Sequence, residues 1–276
     1  AAHSILRAWR KETGLTPDMP ETLYILRLDP QPLGELPMIV GDFSHVGTLE
    51  MDSVGTSAGF IRFLHNFANL RTLSLTRNQL TRVPQAIAAM SRLRSLDLSD
   101  NQIQLTPEAV QWLGNRDQLH ALDLSFNPAL GRTPDVSALR QLQRLALRGT
   151  KIVEWPVGAH ALSTLRTLDL RDNLIAQIPQ AVFAAEPALN RGTNVDGNPF
   201  STSSLREIAE YQRSSGISLG ILAAEYHQVA AVQPDSARRG SIWMRGLSGD
   251  ALASRQALWD SLSAYPWSRD FFHLLA

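Results

Sequence analysis

The residues best able to do chemistry in this sequence are charged side chains at recurring spacing, because the usual catalytic groups are missing or scattered. The 276 residues contain no cysteine, which excludes a thiol nucleophile, a disulfide and cysteine-ligated zinc within the chain. The seven histidines are dispersed and show no metal-ligand spacing. The serines form no Gly-x-Ser-x-Gly elbow, and Gly246-Leu-Ser-Gly249 lacks the Lys-Ser/Thr of a phosphate-binding loop. We therefore predict no metal, no cofactor and no catalytic residue within these 276 positions.

Aspartates and arginines recur at a regular spacing, and one phenylalanine lies among them. This combination of residues indicates a surface for protein recognition. If the chain repeats a short strand, these side chains form a surface that is acidic in the middle and basic toward its C-terminal side. Arginine and aromatic side chains are favoured interface anchors, and such a charge pattern can steer a partner. A second interpretation stays open, since aspartates and arginines on adjacent strands can simply satisfy each other. The candidate partner-binding residues are Asp97, Asp123, Phe126, Arg144, Arg148, Arg166, Asp169 and Arg171.

The elements that would position these side chains are repeats. The pattern Leu-x-x-Leu-x-Leu-x-x-Asn-x-Leu at 70–80 recurs with its asparagine slot at 31, 54, 78, 101, 127, 150, 173 and 198. This is the pattern of leucine-rich repeats, and it predicts an α/β repeat solenoid: a leucine-rich-repeat horseshoe with helical caps. Each repeat places its leucines inward and its asparagine amide against backbone groups at the strand end. Thr150 can make some of these hydrogen bonds, whereas Val54 cannot, so we expect local irregularity at Val54.

The flanking segments predict four regions in the chain. Residues 1–20 form an N-terminal helical cap, with Ile5, Leu6 and Trp9 on one helix face, and residues 21–200 hold about eight repeats. Residues 201–237 form a capping helix and a linker; Ser204-Leu-Arg-Glu207 is a capping box, and the helix ends near Gly216. Residues 238–276 begin an all-α domain. Its expected interdomain contacts are Trp243, Trp259, Phe271 and Phe272.

The C-terminal third resembles a known family. Val195-Asp-Gly-Asn-Pro-Phe200 and Leu205-Arg-Glu-Ile-Ala-Glu-Tyr211 look like the junction in bacterial leucine-rich-repeat effectors of the IpaH/SspH type. Arg255-Gln-Ala-Leu-Trp259 and Asp270-Phe-Phe-His-Leu-Leu275 resemble the first helices of their novel E3 ligase (NEL) domain. The chain stops at Ala276 on an apolar helix, so we expect it to be the front part of a longer protein.

The resemblance implies a type III secreted ubiquitin ligase that acts in the host cytoplasm or nucleus. In that family the repeats select a host protein substrate, and a downstream cysteine in the ligase domain accepts ubiquitin from an E2 enzyme. The 276 residues lack that cysteine, so we expect an enzyme in the parent protein and an inactive fragment here. The alternative is a stand-alone protein-binding solenoid without enzymatic activity.

Composition excludes other partner classes. With 26 basic and 26 acidic residues there is no global basic field for nucleic acid. The apolar runs are too short for a bilayer, so we predict no integral membrane association, and the N-terminus shows no signal peptide. Only Lys11 and Lys151 are lysines. Either a ligase benefits from offering few ubiquitin acceptors, or an arginine-rich genome is responsible.

Overall fold

The computed structural model of the chain describes residues 2–11, 24–28, 41–55, 58–221, 248–249 and 251–255. The chain divides into two compact units, residues 1–221 and residues 222–276. In the second unit the described residues 251–255 are helical. Four residues expected at an interdomain contact lie outside the described residues: Trp243, Trp259, Phe271 and Phe272.

The described residues of the first unit form eight short parallel strands that pair in chain order, each with its immediate neighbours. Consecutive strands stay in register, and the one register shift lies between Tyr24 and Ile25. Sequential parallel pairing with crossovers on one side is what a repeat of about 23 residues produces. The strands are β1 (Tyr24–Arg27), β2 (Val46–Glu50), β3 (Thr72–Ser74), β4 (Ser95–Asp97), β5 (Ala121–Asp123), β6 (Arg144–Ala146), β7 (Thr167–Asp169) and β8 (Thr193–Asn194).

One leucine from each of the strands β1 to β7 contributes to a continuous buried column. From β1 to β7 these leucines are paired across neighbouring strands and are at most 1% exposed. Since side chains alternate along a strand, the residues on either side of each leucine face away from the core. The column consists of Leu26, Leu49, Leu73, Leu96, Leu122, Leu145 and Leu168.

The asparagine slots form a second buried column at the strand ends. The Asn127 amide donates to the carbonyls of Leu98 (3.0 Å) and Leu124 (2.9 Å), and its Oδ1 accepts from Ile103 N–H (2.8 Å). Thr150 makes some of the equivalent bonds, since its hydroxyl donates to the Leu147 carbonyl and to Asn173 Oδ1. These bonds satisfy backbone groups that the bend takes out of the sheet.

The residue before each described slot has a left-handed backbone. Its φ is between 55° and 72° in every described repeat from β2 onward: Ser53, Arg77, Asp100, Phe126, Gly149, Asp172 and Gly197. Val54 keeps this geometry, and Asn78 Oδ1 accepts from the Val54 and Gly55 N–H groups at 2.8 and 3.1 Å. The expected irregularity at Val54 is therefore not seen at the turn itself.

The outer side of the solenoid carries short and varied elements. Among the described residues they are α2 (Ala58–Leu64), α3 (Pro107–Gly114), α4 (Gln180–Phe183), α5 (Pro187–Arg191) and the 3₁₀ segments Gln85–Ala89 and Ala159–Ala161. Proline opens α3, where Thr106 Oγ1 accepts from Ala109 N–H at 3.2 Å. Two later repeats use an extended bridge between Asp135 and Val157. This variety lets repeats of unequal length keep one strand register.

The N-terminal helix α1 (Ala2–Trp9) packs on a different face from the one expected. Ile5 and Ala8 are buried, whereas Leu6 and Trp9 are about half exposed. The Trp9 ring instead lies over Gly41, where a Cβ would come within 2.7 Å of it. The prediction of one face with Ile5, Leu6 and Trp9 is wrong, because the helix turns its small Ala8 toward the core.

The C-terminal helix α6 (Thr202–Ser215) begins one turn earlier than the expected capping box. Its N-cap is Ser201, which is extended and whose hydroxyl accepts from Ser204 N–H at 3.2 Å. Ser204 is buried inside the first turn, so it cannot be the cap. The helix ends at Gly216, whose φ of 74° provides the left-handed C-cap that the sequence indicated.

Helix α6 covers the last repeat. Ile208 is fully buried, and Asn190 Nδ2 donates to the Tyr211 hydroxyl (2.9 Å) and the Val182 carbonyl (2.8 Å). The Tyr211 ring lies 5.3 Å from that of Phe183. Such contacts cover core that an end repeat would leave open.

Candidate protein-binding surface

The candidate surface is the solvent side of β4 to β7 and the turns that follow them. The strands carry Asp97, Asp123, Arg144 and Asp169, whereas Arg148 and Arg171 follow their strands by two residues. Because the register is regular, residues one repeat apart lie on adjacent strands, about 4.8 Å apart. We call this the concave face.

Asp97 and Asp123 are directly paired across β4 and β5. In each aspartate Oδ1 accepts the N–H two residues further on: Ser99 for Asp97 (2.9 Å) and Ser125 for Asp123 (2.8 Å). One carboxylate oxygen therefore stabilises the bend after the strand. Within the described chain Oδ2 of both has no recorded partner and remains an acceptor.

The pKa of Asp123 is raised. Burial is the main cause, and the negative charges of Asp97 and Asp169 add to it, while the Ser125 hydrogen bonds act in the opposite direction. A carboxylate whose charge is this poorly compensated gains from a donor or cation supplied by a partner.

The pKa of Asp169 is shifted in the opposite direction, because Arg171 binds its carboxylate. Arg171 Nε donates to Oδ1 at 2.9 Å and Nη2 to Oδ2 at 2.6 Å, a bidentate pair on one strand end. Burial acts to raise the pKa of Asp169, but the hydrogen bonds and charge of Arg171 outweigh it, so the net shift is downward. Ala146 separates Asp169 from Asp123 on the intervening strand.

Phe126 and Arg148 form an exposed aromatic–cation pair. The Arg148 guanidinium carbon lies 5.6 Å from the Phe126 ring centroid, and Arg148 Nε donates to Asp172 Oδ2 at 2.6 Å. Phe126 is 45% exposed and has a φ of 56°, an unusual conformation for a bulky residue. Its ring lies over Gly149, where a Cβ would approach it to 3.1 Å.

The remaining two arginines differ in their surroundings. Arg144 is exposed at the start of β6, and no partner of its side chain is recorded in the described part of the chain. Arg166 precedes β7, and its Nη1 donates to the carbonyls of Ser163 (2.7 Å) and Leu165 (3.2 Å). The sequence predicted Arg166 in one cluster with Arg144, Arg148 and Arg171. The structure places Arg166 immediately before β7, whereas Arg148 and Arg171 follow their strands.

Sequence reasoning missed two carboxylates of this region. Asp172 occupies the turn position before Asn173 and pairs with Arg148; a spacing of 24 residues was the available signal. Asp52 accepts from the Ser74 hydroxyl (2.8 Å) and Thr76 N–H (3.1 Å) on the next repeat. Arg27 and Glu50 form a further cross-strand pair.

The described residues contain no group of three or more His, Asp and Glu side chains arranged for a metal ion. An open depression beside Phe126 is lined by Arg77, Asp100, Gln102, Pro128 and Gly149 among others. Among the helices described, none is long and apolar enough to cross a membrane.

Comparison with known proteins identifies the repeats. Residues 61–103 match the family model for leucine-rich repeats. The first unit is a leucine-rich-repeat solenoid. No curated protein sequence matches the chain.

Two solved structures are similar to this chain. A leucine-rich-repeat protein from Leptospira interrogans has a TM-score of 0.50 and 20% identity, over 71% of this chain and 52% of that one. An internalin from Listeria monocytogenes has a TM-score of 0.45 and 19% identity, over 58% of this chain and 50% of that one. The chain thus spans about half the length of each, and at this identity the likeness to the Leptospira protein concerns the fold alone.

Proposed function

We propose that the leucine-rich-repeat solenoid binds a protein through its concave face, and that it is the substrate-recognition region of a bacterial NEL-type ubiquitin ligase acting on host proteins. The observation that carries the binding proposal is the Phe126–Arg148 pair. An aromatic ring of this size is exposed in a left-handed turn, with a guanidinium beside it that Asp172 holds in place.

The surroundings of this pair suit a polypeptide ligand. A rigid aromatic beside an arginine is a favoured anchor. Asp97 and Asp123 each offer a free carboxylate oxygen on adjacent strands, and Arg144 offers an exposed guanidinium at the start of the next strand, where it pairs with Ala121. The expected ligand segment therefore places an arginine or lysine over the aspartates and an apolar side chain against Phe126.

The ligase part of the proposal is supported by the sequence resemblance at the junction and in residues 255–275. Transfer of ubiquitin through a thioester needs a cysteine thiolate, and this chain has none. The proposed role of the chain is thus to select the substrate, while a ligase domain would supply the chemistry. The presence of only two lysines fits a protein that works beside activated ubiquitin.

The binding proposal is tested with the triple variant Phe126→Ala/Arg144→Gln/Arg148→Gln in pull-downs from host-cell extract, read by quantitative mass spectrometry. A protein retained by the wild type should be lost from the triple variant. Arg132→Gln is the control, since Arg132 is exposed away from the concave face. If the wild type, the triple variant and the Arg132→Gln control retained the same protein equally, binding through this face would be contradicted.

The ligase proposal has a separate test on the whole protein. A ubiquitin-thioester assay should show a reducible adduct that disappears when the cysteine of a downstream Cys-x-Asp motif is replaced. Activity in residues 1–276 alone would contradict the assignment of the chain as a recognition region.

A stand-alone binding module is the second candidate, because the family match covers repeats only. The gene beyond Ala276 separates the two candidates. If no Cys-x-Asp motif follows within about a hundred residues, a domain-sized stretch, the stand-alone module is the better description.

A further inference from the structure

A second row of side chains runs along the opposite ends of the strands from the asparagine column. It consists of the residue immediately before each strand, and we call it the strand-start edge: Arg71, Arg94, His120, Gln143 and Arg166. From the second member onward, each residue donates its backbone N–H to the carbonyl of the previous one: Arg94 to Arg71 and His120 to Arg94 at 2.7 Å, Gln143 to His120 and Arg166 to Gln143 at 2.8 Å.

This ladder fixes the spacing and direction of the side chains. Equivalent positions on neighbouring parallel strands are about 4.8 Å apart, with their Cβ atoms on the same side. Five positions therefore extend over about 19 Å. The row has a glycine at each end: Arg71 N–H donates to Gly47, and Gly192 faces Arg166 so closely that a Cβ would overlap the Arg166 carbonyl oxygen.

The arginines of the strand-start edge lack the carboxylate partner that three other arginines of the solenoid have. Arg27, Arg148 and Arg171 each pair with a carboxylate within the solenoid. In the described part of the chain no ion pair is recorded for Arg71, Arg94 or Arg166. Arg71 and Arg94 occupy consecutive rungs, an arrangement of like charges that is unfavourable in an isolated sheet.

We propose that the strand-start edge is a second interaction surface, which binds an acidic polypeptide segment in extended conformation. An anion between neighbouring guanidiniums removes their repulsion, and the arginine fork matches carboxylate geometry. A span of about 19 Å corresponds to about six residues of extended chain. The edge is distinct from the concave face, so this proposal does not rest on the proposed function.

Two other anionic partners fit less well. The exposed large apolar side chains among the described residues lie elsewhere, so this row offers no apolar anchor for insertion into a membrane surface. The row contains no Phe, Tyr or Trp on which bases could stack, and the net charge of zero gives no general attraction for nucleic acid.

The test uses the whole chain and a fluorescein-labelled Glu-Ser dodecapeptide, with binding followed by fluorescence anisotropy. A Gln-Ser dodecapeptide is the uncharged control. We expect salt-sensitive binding of the Glu-Ser peptide that weakens about tenfold in Arg71→Gln/Arg94→Gln/Arg166→Gln, the loss expected for three exposed ion pairs. The matched variant Arg27→Gln/Arg148→Gln/Arg171→Gln removes equal charge from three arginines that are paired with carboxylates outside the strand-start edge, and it should change affinity less than about twofold.

Three results would overturn the proposal. They are equal loss in both triple variants, equal binding of both peptides, and binding of phosphatidylserine vesicles or a single-stranded oligonucleotide without binding of the Glu-Ser peptide. Thermal unfolding checks that the edge variant is folded. If it is not, Arg94→Gln alone should still weaken peptide binding by about twofold.

Discussion

The concave face and the strand-start edge are built from the same strands, yet their arginines differ in whether a carboxylate pairs with them. Arg148 and Arg171 are held by Asp172 and Asp169 at 2.6 Å, whereas Arg71 and Arg94 follow one another along a backbone ladder without a recorded ion pair. The repeat alone does not create this difference, since both regions have the same strand register.

The difference lies in which position of the repeat accepts aspartate. Aspartate at the last strand position bonds the N–H two residues ahead, as Asp97, Asp123 and Asp169 do, and so has a structural reason to be there. The position before the strand has its N–H used by the ladder and offers no such bond. In the described chain no side-chain hydrogen bond is recorded for Arg71 or Arg94, so their charges remain available to a partner, whereas Arg166 Nη1 donates to the Ser163 and Leu165 carbonyls.

The largest predicted effect on stability comes from Gly192→Ala, a substitution beside Arg166 at the end of the strand-start edge. The added Cβ would overlap the Arg166 carbonyl oxygen, so β7 and the following loop must separate. We expect a loss of about 3 kcal/mol or more in the free energy of unfolding, measured by urea denaturation. Gly114→Ala, with its nearest contact at 3.2 Å, is the control and should lose clearly less.

Asn127→Ala should affect both regions, because the asparagine column holds the strand ends at one spacing. The substitution removes an acceptor for Ile103 N–H and a donor to the Leu98 and Leu124 carbonyls in a buried site. We expect a loss of about 2–3 kcal/mol in urea denaturation. Thr150→Val removes a single hydroxyl from the same column and should lose about 1 kcal/mol. Equal losses would show that the column is not held by its hydrogen bonds.

Periodicity made the repeat array predictable, whereas local choices within it were not. The leucine column recurs from β1 to β7 and the asparagine slots recur at a nearly constant spacing, and each has one possible environment in a stacked solenoid. The cap of α6 could not be assigned in this way, because Ser201 and Ser204 both belong to the run Ser-Thr-Ser-Ser before Leu205 and only the backbone conformation distinguishes them. The pairing of Arg148 with Asp172 depends on the turn conformation before Asn173, which the strand pattern does not encode.

Two aspartate substitutions within the concave face should change the stability of the solenoid in opposite directions at neutral pH. The raised pKa of Asp123 means that its contribution to stability is present below its unfolded pKa and is lost as pH rises through the folded value. Asp123→Asn should therefore stabilise the solenoid at neutral pH. The lowered pKa of Asp169 means that its contribution is present above the unfolded pKa and is lost as pH falls through the folded value.

Asp169→Asn should accordingly destabilise the solenoid at neutral pH and lose that effect in acid. Thermal unfolding between pH 3 and 7 measures both variants. A shift of the same sign for the two at neutral pH would show that Arg171 does not set the balance at Asp169.

The smallest effect compares single arginines from the two regions directly. Arg171→Gln breaks a bidentate pair that is about one-third exposed, so we expect a loss of about 0.5 kcal/mol that decreases as salt is added. Arg94→Gln breaks no recorded ion pair and relieves repulsion from Arg71. The stability of this variant at low salt should therefore equal or slightly exceed that of the wild type. Urea denaturation in low and high salt measures both. If Arg94→Gln lost as much stability as Arg171→Gln, Arg94 would have a structural partner, and its charge would not be available for an acidic ligand.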